Sequence, residues 1–284
     1  MDRVEPPRVA FLRACELDVE TRKPGNVSVA SAGHGMTATQ FIESAQAAAA
    51  GLFITRASVG ARILEAVQRS VDSVGCNTNL GIVLLAAPLC AALELLPSDE
   101  PVTAARWHDA TGRVLDALDI DDARLAYRAI ALANPGGLGE ASEQSVHAPP
   151  TVTLRAAMAL AGDRDSIARQ YAEGFADVFA TSTDAAGAIT PDAQQRAMLD
   201  AFLMFLSRWP DSHIVRKHGA APAQSVTRDA ALQRARWRDA GCSAQSAALD
   251  VWDEELKSRG INPGTSADLA VATLFVALTI QSVS

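Results

Sequence analysis

Residues 59–96 read VGARILEAVQRSVDSVGCNTNLGIVLLAAPLCAALELL and decide the fold class of this chain. In the first half, apolar residues recur at the three- and four-residue spacing of one helix face: Ile63, Leu64, Val67, Val71 and Val74. Polar residues framed by glycines then interrupt the pattern, and a long apolar run begins at Leu80. The stretch therefore predicts an amphipathic helix, a polar turn and the capped start of a buried helix.

Helical spacing continues through the rest of the chain, which is rich in alanine. Two further stripes predict helices, namely Tyr171, Phe175, Val178 and Phe179, and Leu199, Phe202, Leu203 and Leu206. Helix starts are predicted at Thr37 with Gln40, at Thr265 with Asp268, and at Thr190 before Pro191. Only residues 27–29 and 151–154 resemble strands. We predict an all-α, single-domain bundle of about ten helices spanning residues 1–284.

Composition limits the classes of partner and compartment. The formal net charge of -8 argues against a nucleic-acid partner. The four cysteines form no CxxC pair, and the first residues do not resemble a signal peptide, so a cytoplasmic protein with reduced thiols is expected. The apolar runs 80–96 and 269–280 predict buried helices, because the first contains Pro88 and Glu94 and the second is too short to span a bilayer. Plentiful apolar helix faces leave a homodimer open.

Five segments combine glycine, proline or polar residues with a predicted helix start, where unpaired N–H groups and the helix dipole suit a phosphate. They are residues 23–28 followed by 33–36, residues 74–81, 136–143, 211–219 and 262–269. Each also has a structural interpretation: a solvated turn, a capped core helix, a flexible loop, a charged face or a capping box. Together they indicate glycine-lined helix ends that converge on a polyphosphate.

Two of these segments offer carboxylates whose role the residues alone leave open. Asp268 either satisfies the amide of Thr265 in a capping box or holds magnesium or accepts a proton. Asp211 precedes a group of cationic or titratable residues, His213, Arg216, Lys217 and His218, in a protein that is acidic overall. That local reversal of sign is typical of either a solvated face or an anion site.

In this order the segments resemble the triphosphoribosyl-dephospho-CoA synthase family. The resemblance rests on Lys23-Pro24-Gly25, His34 with Met36, Asn77-Thr78 with Gly81, Gly139-Glu140-Ala141, Asp211 to Gly219, and Pro263-Gly264-Thr265-Ser266-Ala267-Asp268-Leu269. It covers nearly the whole chain, from about Cys15 to Ile280. Members of the family are all-helical pentosyltransferases that move the triphosphoribosyl group of ATP to dephospho-CoA and release adenine.

The resemblance implies a set of site residues and a cofactor. Asp268, Asp211 and Glu140 are the expected catalytic carboxylates, with Asp211 and Asp268 also expected to bind Mg²⁺, which accompanies the substrate ATP. The expected contacts to phosphate and substrate are Lys23, Gly25, Asn26, His34, Asn77, Thr78, Asn79, His213, Lys217, Gly264 and Ser266. Lys23 and Lys217 would hold phosphates, and Asn77 and Thr78 would cap the helix that points at them.

Some positions depart from the family pattern and keep other functions open. Asn79-Leu80 stands where citrate-lyase-type members carry His-Lys, and Gly35 replaces an aspartate that usually precedes the methionine. One alternative is therefore a related transferase with another acceptor, such as a precursor of a methanopterin-type one-carbon carrier. The second is a nucleotide-binding relative without turnover.

Overall fold

The structure, a computed structural model, describes residues 5–29, 37–76, 78–97, 99–134, 145–188, 190–243 and 246–282. These ranges contain fourteen α-helices and no β-strand, so the all-α prediction is confirmed. The helices are α1 Glu5–Glu20, α2 Ala38–Leu52, α3 Val59–Val74, α4 Leu80–Leu93, α5 Ala104–Asp116, α6 Ile120–Ala133, α7 Leu154–Ala159, α8 Ser166–Ala172, α9 Ala176–Ala185, α10 Pro191–Arg208, α11 Ser212–His218, α12 Ala220–Asp239, α13 Ala247–Ser258 and α14 Gly264–Ser282. The predicted count of about ten was too low, because helices of six or seven residues such as α7, α8 and α11 are too short to show a periodic pattern.

Helices α4 and α14 form the centre of the core. Every residue from 82 to 90 and from 269 to 279 is buried. Helix α14 packs against α1, α4, α9 and α10, which surround it. Both apolar runs are thus buried helices, as predicted, and none of the helices in the described ranges is long and apolar enough to cross a membrane.

Pro88 lies inside α4 and leaves a gap in its hydrogen-bond ladder. A proline has no N–H, so it cannot donate to the carbonyl of Leu84, four residues earlier. The hydroxyl of Tyr171 donates to that carbonyl instead, at 2.6 Å. Helix α8 therefore supplies the bond that α4 lacks, which ties the two helices together.

The aromatic stripe around Tyr171 is divided between two helices, although one was predicted. Helix α8 ends at Ala172, and α9 begins at Ala176. Gly174 and Phe175 both adopt positive φ, at 71° and 63°, and this left-handed turn ends a helix. The stripe Tyr171, Phe175, Val178 and Phe179 is nevertheless buried, so the apolar pattern was recognised and the glycine stop was not.

Two of the three predicted helix starts are confirmed. Thr37 and Gln40 form a capping box, and Thr190 caps α10 with Pro191 in its first turn. The predicted cap at Thr265 is wrong, because α14 already begins at Gly264. Pro263 supplies the first accepting carbonyl instead, to the amide of Ala267 at 3.2 Å.

Candidate functional site

The polar segments that the structure describes, residues 23–28, 78–81, 211–219 and 262–269, meet at the beginning of α14. The turn around Gly25 packs directly against the residues that precede α14. A Cβ at Gly25 would stand 2.9 Å from both the carbonyl oxygen of Ile261 and Cδ of Pro263, and its φ is +80°. Beside it, Nδ2 of Asn26 donates to Oδ1 of Asn262 at 2.9 Å. The first and last segments, some 236 residues apart in sequence, are therefore one structural unit.

Buried charges hold the turn of residues 23–25 in place. Lys23 is fully buried, and its Nζ lies 3.1 Å from Oδ1 of Asp18 and 3.3 Å from the carbonyl oxygen of Thr21, and also contacts the carbonyl oxygen of Asp18. On the other side, Oδ1 of Asp253 accepts the amide of Gly25 at 2.8 Å. The ammonium group of Lys23 thus has three oxygen neighbours from its own chain, and it fastens the end of α1.

Asp211 joins the beginnings of α11 and α14. Its Oδ1 accepts the amides of His213 and Ile214 at 2.9 and 3.2 Å, which caps α11. Its Oδ2 accepts the amide and the hydroxyl of Ser266 at 2.7 and 2.8 Å. Burial nevertheless raises the pKa of Asp211, although the bonds from Ser266 act in the opposite direction. Gly264 lies beside the ring of His213, 3.6 Å from Nδ1 as measured from an added Cβ.

Asp268, one turn into α14, lies against the first residues of α4. A Cβ at Gly81 would stand 2.0 Å from Oδ2 of Asp268, so only glycine leaves room for this carboxyl group. Just before α4, Oγ1 of Thr78 donates to Oγ of Ser44 at 2.5 Å. Asn79 occupies the N-cap position, yet its side chain makes no capping hydrogen bond.

The Asp268 carboxyl group has an unusual electrostatic environment. Within the described residues it makes no hydrogen bond and no ion pair. Its pKa is raised well above the ordinary value, first by burial and then by the negative charges of Asp18, Asp211 and Asp165, with Arg216 opposing them. A carboxyl group with these neighbours holds a proton far more readily than a solvated one. Such a group is a candidate for proton transfer.

The cations of α11 lie on different sides of the helix. Arg216 is directed inward, and its Nη1 donates to Oδ2 of Asp165 at 2.7 Å, while its Nε is buried with no partner among the described residues. Lys217 is exposed. His213 and Lys217 were the predicted phosphate contacts of this group, whereas the cation that acts on Asp268 is Arg216.

The described residues do not present a site for direct metal binding. They contain no group of three or more His, Cys, Asp and Glu side chains that could hold a metal ion. The two oxygens of Asp211 already accept four hydrogen bonds, which uses the acceptor sites of a carboxylate. Asp268 keeps free acceptor sites, but one carboxylate is fewer than the three ligands of such a group. The binding of Mg²⁺ therefore stays a prediction, and it concerns the metal that accompanies the ATP phosphates.

The structure thus brings together Lys23, Gly25, Asn26, Asp211, Gly264, Ser266 and Asp268, with Thr78, Asn79 and His213 beside them. His34, Asn77 and Glu140 lie outside the described residues. Sequence reasoning missed three contributors, Asp18, Asp165 and Asp253, and it named Arg216 only as one member of the cationic group. Asp18 and Asp253 lie within helices, where an acidic residue normally faces solvent. They differ from such solvated residues in being 4% and 0% exposed, which the sequence does not reveal.

Comparison with known proteins identifies the family. A family model described as ATP:dephospho-CoA triphosphoribosyl transferase (CitG) matches residues 5–283. The chain belongs to this transferase family. The resemblance found in the order of the polar segments is therefore confirmed, and so is the expectation that the chain is an enzyme of the triphosphoribosyl-dephospho-CoA synthase type.

A solved structure supports the same assignment at the level of the fold. The crystal structure of a proposed triphosphoribosyl-dephospho-CoA synthase from Archaeoglobus fulgidus superposes with a TM-score of 0.67 at 22% identity. The similarity covers 85% of this chain and 97% of that one. No curated protein sequence matches the chain significantly. The helical fold is thus shared with the archaeal protein.

Proposed function

We propose that this member of the CitG family transfers the triphosphoribosyl group of ATP to the ribose of dephospho-CoA and releases adenine. Two observations support the proposal: the family match extends over residues 5–283, and the described polar segments that carry the resemblance meet around the carboxyl group of Asp268, which has no hydrogen bond or ion pair among the described residues. That carboxyl group, Asp268, is the observation on which the assignment of the site depends.

The reaction needs one proton to change place. The bond between C1′ of the ATP ribose and N9 of adenine breaks, and a bond from C1′ to the oxygen of the acceptor hydroxyl forms. The hydroxyl loses its proton, and adenine leaves with one, so atoms and charge balance. The raised pKa of Asp268 suits this step, because its carboxyl group holds a proton more readily than a solvated carboxyl group does.

The triphosphate requires cations that are accessible to a ligand. Lys23 is buried and surrounded by oxygens of its own chain, so it stabilises the structure of the site and is not accessible to the triphosphate. Lys217 is exposed at the end of α11, and the inward-facing Arg216 has one N–H group without a partner among the described residues. We assign the phosphate contacts to this pair, and Mg²⁺ would enter bound to ATP, where it neutralises part of the phosphate charge.

The test is the release of adenine from ATP in the presence of Mg²⁺ and dephospho-CoA, measured by chromatography. Asp268→Asn keeps the size of the side chain and removes the titrating group, so we expect adenine release to fall by about 10²- to 10⁴-fold. Asp121→Asn, at an exposed acidic position of α6, is the matched control and should retain full activity. Unchanged activity of Asp268→Asn would remove this residue from the mechanism.

The two alternatives give different results in the same assay. Release of adenine with another hydroxyl acceptor but not with dephospho-CoA would identify a related transferase with a different acceptor. The buried Leu80, which stands where citrate-lyase-type members carry lysine, is the position that favours such a difference. Binding of ATP with no adenine released for any acceptor would contradict the proposed transfer and indicate a nucleotide-binding relative.

A further inference from the structure

The N-terminus of α4 contains a buried side-chain amide nitrogen with no hydrogen-bond partner among the described residues. Asn79 holds the N-cap position of this fourteen-residue helix, where an asparagine normally accepts a backbone N–H. Its side chain makes no such bond. The residue is only 4% exposed, and Nδ2 has no hydrogen-bond partner among the described residues. An unpaired buried amide costs free energy, so its retention calls for a ligand that pairs with it.

The charges around this helix end argue against a phosphate ligand. The carboxyl group of Asp268 lies against Gly81, in the first turn of α4, where the positive end of the helix dipole would otherwise attract an anion. Asp18, Asp211 and Asp165 add negative charge around Asp268, and Arg216 opposes them. Two of these carboxylates are paired, Asp18 with Lys23 and Asp165 with Arg216, so Asp211 and Asp268 are the groups that would repel a polyphosphate placed here. A neutral group that can both donate and accept hydrogen bonds meets no such repulsion.

We propose that the start of α4 binds the purine base of the nucleotide, with Asn79 and Asp268 as the two side chains that recognise it. An amide presents a donor beside an acceptor, and a carboxyl group does the same whenever it carries a proton. The edge of adenine presents the complementary pair, an exocyclic amino group beside a ring nitrogen, which asparagine recognises in nucleic-acid complexes. This inference rests on the proposed function, since it divides the nucleotide between the base at α4 and the phosphates at α11.

Asn79 was predicted to contact phosphate, whereas in this proposal it binds the base. It also gives a reason for the closeness of Asp268 to Gly81. The carboxyl group can reach a base at the helix end only if residue 81 has no side chain. A proton donated by Asp268 would then be delivered to the leaving base itself, which is the step that the transfer requires.

The experiment measures ligand binding to the full chain by calorimetry, with no acceptor present. The probes are adenine, hypoxanthine and inorganic triphosphate. We expect Asn79→Ala and Asn79→Asp to weaken the binding of adenine by about tenfold, since loss of one hydrogen bond to a buried group costs about 1–3 kcal/mol. Binding of triphosphate should not change. Hypoxanthine, which has an oxygen in place of the amino group, should bind the unmodified protein more weakly than adenine does.

A second measurement separates loss of binding from loss of folding. Because the side chain of Asn79 makes no capping bond and has an unpaired buried amide, Asn79→Ala should leave the thermal midpoint unchanged or raise it. Asn134→Gly is the control, since it removes an exposed amide at a left-handed position that glycine tolerates. This control should bind adenine as the unmodified protein does.

The outcomes distinguish this inference from the proposed function. If adenine binds through Asn79 but the protein releases none from ATP, the base site is supported and the transfer reaction is contradicted. If the protein releases adenine while Asn79→Ala binds adenine normally, the base site is overturned and the transfer remains. Weaker triphosphate binding in Asn79→Ala, or no adenine binding to the unmodified protein, would equally overturn the base site.

Discussion

The carboxyl group of Asp268 occupies the space that a side chain on Gly81 would fill. An added Cβ would lie 2.0 Å from Oδ2 and 2.6 Å from Cγ of Asp268, and 2.9 Å from Cδ1 of Ile167. Such contacts are closer than any van der Waals separation, so either the helices or the carboxyl group must move. The carboxyl group is the more easily displaced of the two, because it ends a rotatable side chain. A glycine of the second polar segment thus fixes the position of the aspartate of the last one.

We therefore expect Gly81→Ala to impair activity more than folding. Displacement of the carboxyl group by about 1 Å can cost about 10²-fold in rate, whereas the protein should stay folded. Adenine release and urea unfolding measure the two effects. Gly112→Ala is the matched control, since a Cβ there meets nothing within 4 Å and alanine favours the helix.

A double-mutant cycle tests whether the effect of Gly81→Ala passes through Asp268. In the background of Asp268→Ala the alanine at position 81 no longer meets a carboxyl group, so it should reduce the remaining activity much less. Equal losses in both backgrounds would show that Gly81 acts through some other neighbour, such as Ile167.

The raised pKa of Asp268 predicts a dependence of stability on pH. Between the ordinary pKa of 3.8 and the raised value, the folded state holds a proton that the unfolded state has lost. The free energy of unfolding should therefore decrease as pH rises through this window, by at most about 1.4 kcal/mol per pH unit for this one group. Asp268→Asn removes the titration, so its stability relative to the original protein should increase with pH.

Urea unfolding of the two proteins, carried out at a series of pH values from about 4 upward, measures this difference. Asp121→Asn is the control, because it makes the same change of carboxyl to amide at an exposed position. A stability difference for Asp268→Asn that falls as pH rises would mean that this carboxyl group is stabilised in its charged form.

The sequence was sufficient to predict the fold class because both central helices leave strong patterns. The runs that became α4 and α14 are predominantly apolar, and α3 has a clear apolar stripe. The break between α8 and α9 was missed because the apolar side chains continue in register across Gly174. Short helices were missed because one or two turns contain too few residues to define a period.

The candidate site was predicted only where a residue type is unusual for its position. Glycines and polar residues next to apolar helices indicated the segments around Gly25, Gly81 and Ser266. Asp18 and Asp253 left no such signal, because an acidic residue on an amphipathic helix is normally solvated. Their burial follows from how α1 and α13 meet the turn at residues 23–25, which is a tertiary contact.

Asp211→Asn is expected to destabilise the protein in the absence of any ligand or metal. An asparagine can still cap α11 through its Oδ1, but its amide nitrogen would face the N–H of Ser266, which loses its acceptor. We expect a loss of about 1–3 kcal/mol in the free energy of unfolding, measured in urea without nucleotide. Asp211→Ala should lose about 1 kcal/mol more, because it also removes the cap.

The same variant tests the expectation that Asp211 binds magnesium. If its four hydrogen bonds define its role, Asp211→Asn should lower stability and leave the dependence of adenine release on Mg²⁺ concentration unchanged. Unaltered stability together with a higher Mg²⁺ requirement would assign the carboxylate to the metal instead.

Tyr171→Phe should destabilise the core although it removes a single oxygen atom. The hydroxyl is the donor to the carbonyl of Leu84, which Pro88 leaves without its helical partner. Both groups are buried, so the loss of the hydroxyl leaves an unsatisfied carbonyl at a cost of about 1–3 kcal/mol. Burial also raises the pKa of Tyr171, which keeps the phenol protonated as the donor.

The Pro88→Ala background provides the control for this prediction. Alanine restores an N–H at position 88, which can donate to Leu84 and complete the ladder of α4. Tyr171→Phe should therefore cost less in that background than in the original protein, and the difference between the two costs measures the coupling in urea unfolding. Equal costs in both backgrounds would mean that the hydroxyl stabilises the core by packing, and that the gap at Pro88 needs no compensation.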